Sequence, residues 1–330
     1  MHFRSTHFAV LSMLLCSTTA KVFSIQSYAA LGDSYAAGDG AGSSRLFPHL
    51  DAICGRFSGA YPVQVANSPH LNVQPFDFWN VACKGATTRS LVFKQLPHVK
   101  DVDLVTIQVG GNEVNFFPVV NECIQQWKPI STCDRELDRA KRLIQSEKFV
   151  EAFHGMVAHT IKETNGRALL LVLGYAKFFN AETEHCNGVT FSKTNPANVL
   201  SNKLRRSFNE LVVMLNEVIK ASAEAKGAVY VDIDEVFEGH RFCEEGVKEP
   251  TPDWEGTWFF RERGEQVEEV LNQMASEQVH GQADQTSLGH SNPLKDLGNL
   301  IRTFHPTTNG HVGIAKKVVN VTVELGKTIM

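Results

Sequence analysis

The stretch Tyr28-Ala29-Ala30-Leu31-Gly32-Asp33-Ser34-Tyr35-Ala36-Ala37-Gly38 decides how this chain is read. It opens as a short apolar run suited to a buried strand, then meets Gly32-Asp33-Ser34, a turn-forming triplet that leads into a helix. Ser34 is therefore expected at a strand end and a helix N-terminus. Backbone N–H groups there have no intrahelical partner and point outward, so they stabilise negative charge developing on an oxygen. A serine in such a place is a candidate nucleophile, and a nucleophilic serine needs a base to take its proton. The candidate base is His305, in Thr303-Phe304-His305-Pro306 near the other end of the chain.

Further strand-like runs follow the first. Phe76 to Ala82 alternates and leads into Cys83-Lys84-Gly85-Ala86. The run from Asp101 to Val109, dense in Val, Leu and Ile, ends in Gly110-Gly111-Asn112-Glu113. Ala168 to Tyr175 and Ala228 to Ile233 complete the series. Helical patterns lie between them, over Cys133 to Gly166 and over Asn198 to Lys226, the second with an apolar stripe from Leu204 to Ile219. A final helix is expected from Thr307 to Leu325, with Pro306 at its N-terminus, where a missing N–H costs little. Strands alternating with helices argue an α/β fold with a mainly parallel sheet covered on both faces. Gly85 and Asn112, taken singly, read as turn residues. What gives them weight is order, since a serine, a glycine and an asparagine each follow a strand, and the carboxyl ends of strands are where an open α/β sheet gathers its ligands.

The chain has 330 residues, 43% of them hydrophobic, enough for one large domain over residues 21–330. A net charge of −4 with no basic stripe argues against a nucleic-acid partner. Residues 1–20 read as a secretory signal peptide: Arg4, an apolar run from Phe8 to Cys16, and small residues up to a cleavage point after Ala20. No later segment is apolar enough to span a bilayer, so no stable membrane insertion is expected. Of seven cysteines, Cys16 leaves with the signal. Cys54, Cys83, Cys123, Cys133, Cys186 and Cys243 remain, an even set that favours disulfides in an exported chain. Order along the chain suggests Cys54–Cys83, Cys123–Cys133 and Cys186–Cys243. No Cys-x-x-Cys or His-x-x-x-His spacing invites a metal. Asn320-Val321-Thr322 is a glycosylation acceptor sequence, although it falls within the last helix. Residues 238–302 break the pattern. They carry Trp254, Trp258, Phe259 and Phe260, and read either as a flap whose aromatic residues touch an acyl chain or as an extra layer on the sheet edge.

Gly32-Asp33-Ser34, Gly85, Gly110-Gly111-Asn112 and His305-Pro306 occur in the order of the four blocks of the SGNH, or GDSL, hydrolases. The chain resembles that family, and within it the secreted esterase and lipase branch of actinomycetes and filamentous fungi. The resemblance implies a three-layer α/β/α SGNH-hydrolase (flavodoxin-like) fold, carboxylic ester hydrolysis, and no metal or cofactor. It implies Ser34 as nucleophile, His305 as general base then acid, and Ser34 N–H, Gly85 N–H and the Asn112 amide as oxyanion donors. Two departures stand out. Where the family often has Asp two intervening residues before the histidine, this chain has Arg302. An arginine side chain cannot accept the imidazole N–H, and in some members a backbone carbonyl is thought to do so. The Arg302 carbonyl is the expected orienter here, with Asp296 or Glu262 left open. Glu113 replaces the Asp that commonly follows the asparagine.

The leading reading is a secreted, extracellular, monomeric serine esterase or lipase acting on small-molecule or lipid esters. A carbohydrate O-acetyl esterase and a non-catalytic secreted binding protein are the alternatives.

Overall fold

The run YAALG forms strand β1 (Tyr28–Gly32), every residue of it buried. The computed structural model describes residues 24–42, 53–99, 101–126, 129–192, 194–249, 255–260 and 303–329; the expected signal peptide, Trp254 and most of the 238–302 stretch lie outside them. Helices α1 (Ser34–Ala37) and α2 (Tyr61–Ala66) follow, then β2 (Phe78–Asn80), α3 (Thr88–Ser90) and β3 (Leu104–Gln108). After these come α4 (Phe116–Val120), α5 (Cys133–Ile144), α6 (Glu147–Glu163), β4 (Leu169–Leu173), α7 (Asn202–Glu224), β5 (Val229–Val231) and α8 (Thr308–Ile329). Among the described residues the strands form one sheet in the order β2-β1-β3-β4-β5, each neighbouring pair parallel.

Strands buried on both faces read as continuous apolar runs, and that is why β1, β3 and β4 were legible. The helical stretch from Cys133 to Gly166 is two helices because Ser146 offers its side-chain oxygen to the Phe149 N–H and so starts a second one. Helices α2 and α8 pack against each other, and α5 and α6 pack against α7. The apolar stripe of α7 is core, with Phe208, Leu211, Val212, Leu215 and Ile219 buried.

All three disulfides join the cysteines in the order expected: Cys54–Cys83, Cys123–Cys133 and Cys186–Cys243. Two of the described aromatic residues of the 238–302 stretch, Trp258 and Phe259, are packed against neighbouring rings. Phe259 is buried and stacks on Phe237 at 4.5 Å. Trp258 stacks on His240 at 3.7 Å and closes on Gly313 of α8. Trp258 and Phe259 thus pack against the fold, and neither lines the cavity beside Ser34.

One buried hydrogen bond joins α2 to α8: the Tyr61 N–H donates to His311 Nδ1 at 3.2 Å. Burial, with His305 nearby, lowers the His311 pKa from 6.5 to about 3. The unfolded chain thus takes up a proton near pH 6.5 that the folded chain refuses until about pH 3. This contribution to stability is full above about pH 6.5 and is lost as pH falls toward 3. His311→Asn, which keeps an acceptor for Tyr61 but does not titrate, is expected to flatten the acid side of the Tm-versus-pH curve measured by calorimetry.

Candidate active site

In the order β2-β1-β3-β4-β5, the chain leaves β1 toward one side of the sheet and later returns on the other. A crevice opens at that point beyond the carboxyl ends of the strands. Ser34 follows β1, Gly85 follows β2, Asn112 follows β3 and Tyr175 follows β4.

The turn after β1 is held from several directions. A side chain on Gly32 would place its Cβ 2.1 Å from the Gln108 carbonyl oxygen, so β3 approaches β1 as closely as glycine alone permits. The Gln95 side chain accepts from the Gly32 N–H and donates to the Gly32 carbonyl, both at 2.8 Å. The Asp33 N–H donates to the Gln108 carbonyl at 2.9 Å. Asp33 caps α1, accepting from the Tyr35 N–H at 2.9 Å and from the Tyr175 hydroxyl at 2.7 Å. The same Tyr175 hydroxyl accepts from the Gly111 N–H at 3.3 Å.

Ser34 lies 2.7 Å from His305, Oγ to Nε2. Among the described residues, His305 Nδ1 faces the Thr303 carbonyl at 3.3 Å. Arg302, Asp296 and Glu262 lie outside the described residues. Thr303 is fixed in turn, its Oγ1 accepting from Gln125 Nε2 at 2.8 Å. Between Thr303 and His305 sits Phe304, whose φ of +68° is left-handed. For a bulky residue this costs about 1–3 kcal/mol and persists only where the surroundings impose it. The Tyr35 hydroxyl donates to the Phe304 carbonyl, the Phe304 N–H donates to the Phe260 carbonyl at 2.7 Å, and the Phe304 ring is buried among Phe178, Phe179 and Phe242.

Asn112 donates through Nδ2 to the Ala86 carbonyl at 2.9 Å, which leaves its second N–H for another acceptor. Gly85 adopts φ +74°. Among the described residues, neither its N–H nor that of Ser34 has an acceptor. Glu113 accepts from the Thr88 N–H and so ties the loop after β2 to the loop after β3; burial raises its pKa above 4.5. A cavity of about 100 Å³ opens beside Ser34, Asn112 and His305. Its walls come from α4 (Phe116, Phe117, Val120), α5 (Ala140, Ile144) and α7 (Leu211, Val212, Leu215). Gly85 and the described aromatic residues 258–260 do not line it. Asn320 is exposed on α8, beside a separate groove that Trp258 also lines.

The chain matches the GDSL-like lipase/acylhydrolase family over residues 30–248. It belongs to that family. This GDSL-like chain is therefore a carboxylic ester hydrolase; the matched region holds Ser34, Gly85 and Asn112 and stops short of His305. A "Lipase" of Streptomyces rimosus is 32% identical over 217 residues, spanning 66% of this chain and 73% of the relative. "Lipase 1" of Streptomyces coelicolor is 29% identical, spanning 71% and 80%. A solved phospholipase A1 from Streptomyces albidoflavus superposes with a TM-score of 0.63 at 24% identity, covering 91% of this chain and 99% of that one. It shares the three-layer α/β/α fold.

Of the residues singled out from sequence, Ser34, Asn112 and His305 meet at one cavity, while Gly85 stands on the adjoining loop. Sequence reasoning passed over Tyr35, Gln95, Gln125 and Tyr175. Two of these had a signal: Tyr35 adjoins Ser34, and Tyr175 ends the β4 run. The partners of Gln95 and Gln125 are far away in sequence, and nothing local marks them.

Burial, partly offset by the Tyr175 and Tyr35 donors, pushes the Asp33 carboxyl from 3.8 up to about 7. Between those values the folded state holds a proton that the unfolded state has released, so stability falls as pH rises through the window. Asp33→Asn retains the cap acceptor without the titration. Its Tm relative to wild type is expected to improve from pH 4.5 to pH 8, measured by thermal denaturation at the two pH values.

Proposed function

We propose that this chain is a secreted serine hydrolase of lipid esters in which Ser34 and His305 are the catalytic pair. The observation that carries the reading is the 2.7 Å contact of Ser34 Oγ with His305 Nε2 at the edge of an apolar cavity. Ser34 Oγ attacks the ester carbonyl carbon as its proton passes to Nε2. The tetrahedral intermediate then collapses, expelling the alcohol, which takes that proton from Nε2. Water, activated by the same nitrogen, releases the acid and restores Ser34. The oxyanion is held by the N–H groups of Ser34 and Gly85 and by the second N–H of Asn112. All three are available for a new acceptor, and such donors act because they need no reorganisation as the charge appears. With Nδ1 protonated toward the Thr303 carbonyl, the described group that faces it, Nε2 is the basic nitrogen.

The cavity supports an extended acyl group over acetyl. Its α4, α5 and α7 walls are aliphatic and aromatic, and each methylene buried there contributes about 0.8 kcal/mol, a gain an acetyl group cannot collect. Export is supported by the N-terminal pattern and the three disulfides, and a structural neighbour from Streptomyces rimosus is described as an extracellular lipase. A single domain after residue 20 accords with the histidine segment ahead of α8 meeting the serine at the end of β1.

A fluorophosphonate probe is expected to label Ser34 alone, located by mass spectrometry of the digested protein, and His305→Ala is expected to lose that label. Asn112→Ala should lower kcat by about 10²- to 10³-fold; a wild-type rate in that variant removes Asn112 from the oxyanion site. Ala140 is buried in the wall contributed by α5, so Ala140→Leu fills the cavity. On a panel of p-nitrophenyl esters it should lower kcat/KM for octanoate and longer acids while sparing acetate. Equal loss across the panel would place the acyl group elsewhere.

A further inference from the structure

We propose that Tyr35 is a positioning residue for His305: its hydroxyl, held on the Phe304 carbonyl, sets the backbone turn that aims the imidazole at Ser34. The inference rests on the reading of Ser34 and His305 as the catalytic pair. Tyr35 is the residue after the nucleophile and its hydroxyl reaches the residue before the base, so one side chain spans both partners. Its ring also lies against the imidazole, with centroids 5.1 Å apart.

The Thr303 carbonyl facing Nδ1 belongs to the residue before Phe304. The direction of that carbonyl relative to the imidazole is therefore set by the Phe304 torsions, and φ there is +68°. A non-glycine residue stays in the left-handed region only when something holds it. Here the Phe304 N–H is held by Phe260, the ring by a cluster of phenylalanines, and the carbonyl by the Tyr35 hydroxyl. Of these, only the Tyr35 contact links the turn to the element that carries the nucleophile. Tyr175 makes a useful contrast, since its buried hydroxyl binds Asp33 and Gly111 and does not touch the histidine turn. Among the described residues, Ser34, Tyr35 and the Thr303 carbonyl face the imidazole, with His311 buried farther along α8.

Tyr35→Phe removes the hydroxyl and keeps the ring; Tyr175→Phe makes the same change on the other side of Asp33. Wild type and both variants are compared by p-nitrophenyl ester kinetics over pH, by the rate of fluorophosphonate labelling and by Tm. Tyr35→Phe is expected to lose about 10- to 10²-fold in kcat and in labelling rate, part of the 10²- to 10⁴-fold that a positioned base supplies, with KM little changed. The acid limb of its kcat/KM profile should move to lower pH, because a misaligned carbonyl stabilises imidazolium less. Tyr175→Phe should leave that limb in place whatever it does to Tm. Wild-type kcat and limb in Tyr35→Phe would overturn the proposal. So would an equal limb shift in both variants, or a Tyr35→Phe protein that does not fold, since each marks the hydroxyl as general scaffolding. Unlabelled wild type would overturn the reading of the catalytic pair itself, whereas labelled wild type with an indifferent Tyr35→Phe overturns the positioning role alone.

Discussion

The contact between Ser34 Oγ and His305 Nε2 joins residues 271 apart in sequence, and the rest of the architecture exists to keep it short. One side of it depends on β1 and β3 lying so close that only glycine fits at position 32. That approach brings the Gln108 carbonyl to the Asp33 N–H and holds the turn from which Ser34 projects. The other side depends on α8 packing against α2, because His305 stands just ahead of α8. Among the described residues none of β1, β3, α2 or α8 lines the cavity, yet a displacement of about 1 Å between them is enough to cost the reaction about 10²-fold.

Buried polar groups serve this geometry at some electrostatic cost. Asp33 and His311 are both fully enclosed, one on the nucleophile's turn and one bridging α2 and α8. Burial disfavours the charged form of each, which raises the carboxyl and lowers the imidazole. Their effects on stability run in opposite directions across mildly acidic pH, the first favouring lower pH and the second higher. Where their windows overlap, the two contributions partly cancel.

Aromatic residues are divided between two tasks. Phe116, Phe117 and Phe178 face the cavity. Phe237, Phe242 and Phe259 pack beneath the histidine turn, while Phe304, within that turn, packs on Phe242 and also reaches the cavity. The second set is why a bulky residue can sit at positive φ beside the base: the ring's burial offsets the backbone strain. The sequence left the aromatic residues near 258 open between a flap over an acyl chain and an extra layer, and Trp258 and Phe259 pack into the scaffold.

Much of this protein was legible in one dimension. The strands that form the middle of the sheet are mostly apolar runs because both their faces are covered, and their ends carried Ser34 and Asn112 in readable turns. The disulfide order was legible too, since each bond closes within its own part of the chain. What the tertiary structure alone decided is how the pieces hold one another. Gln95 on Gly32, Tyr175 on Asp33, Glu113 on Thr88, Gln125 on Thr303 and Tyr35 on Phe304 are all contacts between segments distant in sequence. A strand or a cap reveals itself through periodicity and neighbours. A long-range hydrogen bond has no period and no local neighbour, and it becomes visible only when the chain has folded.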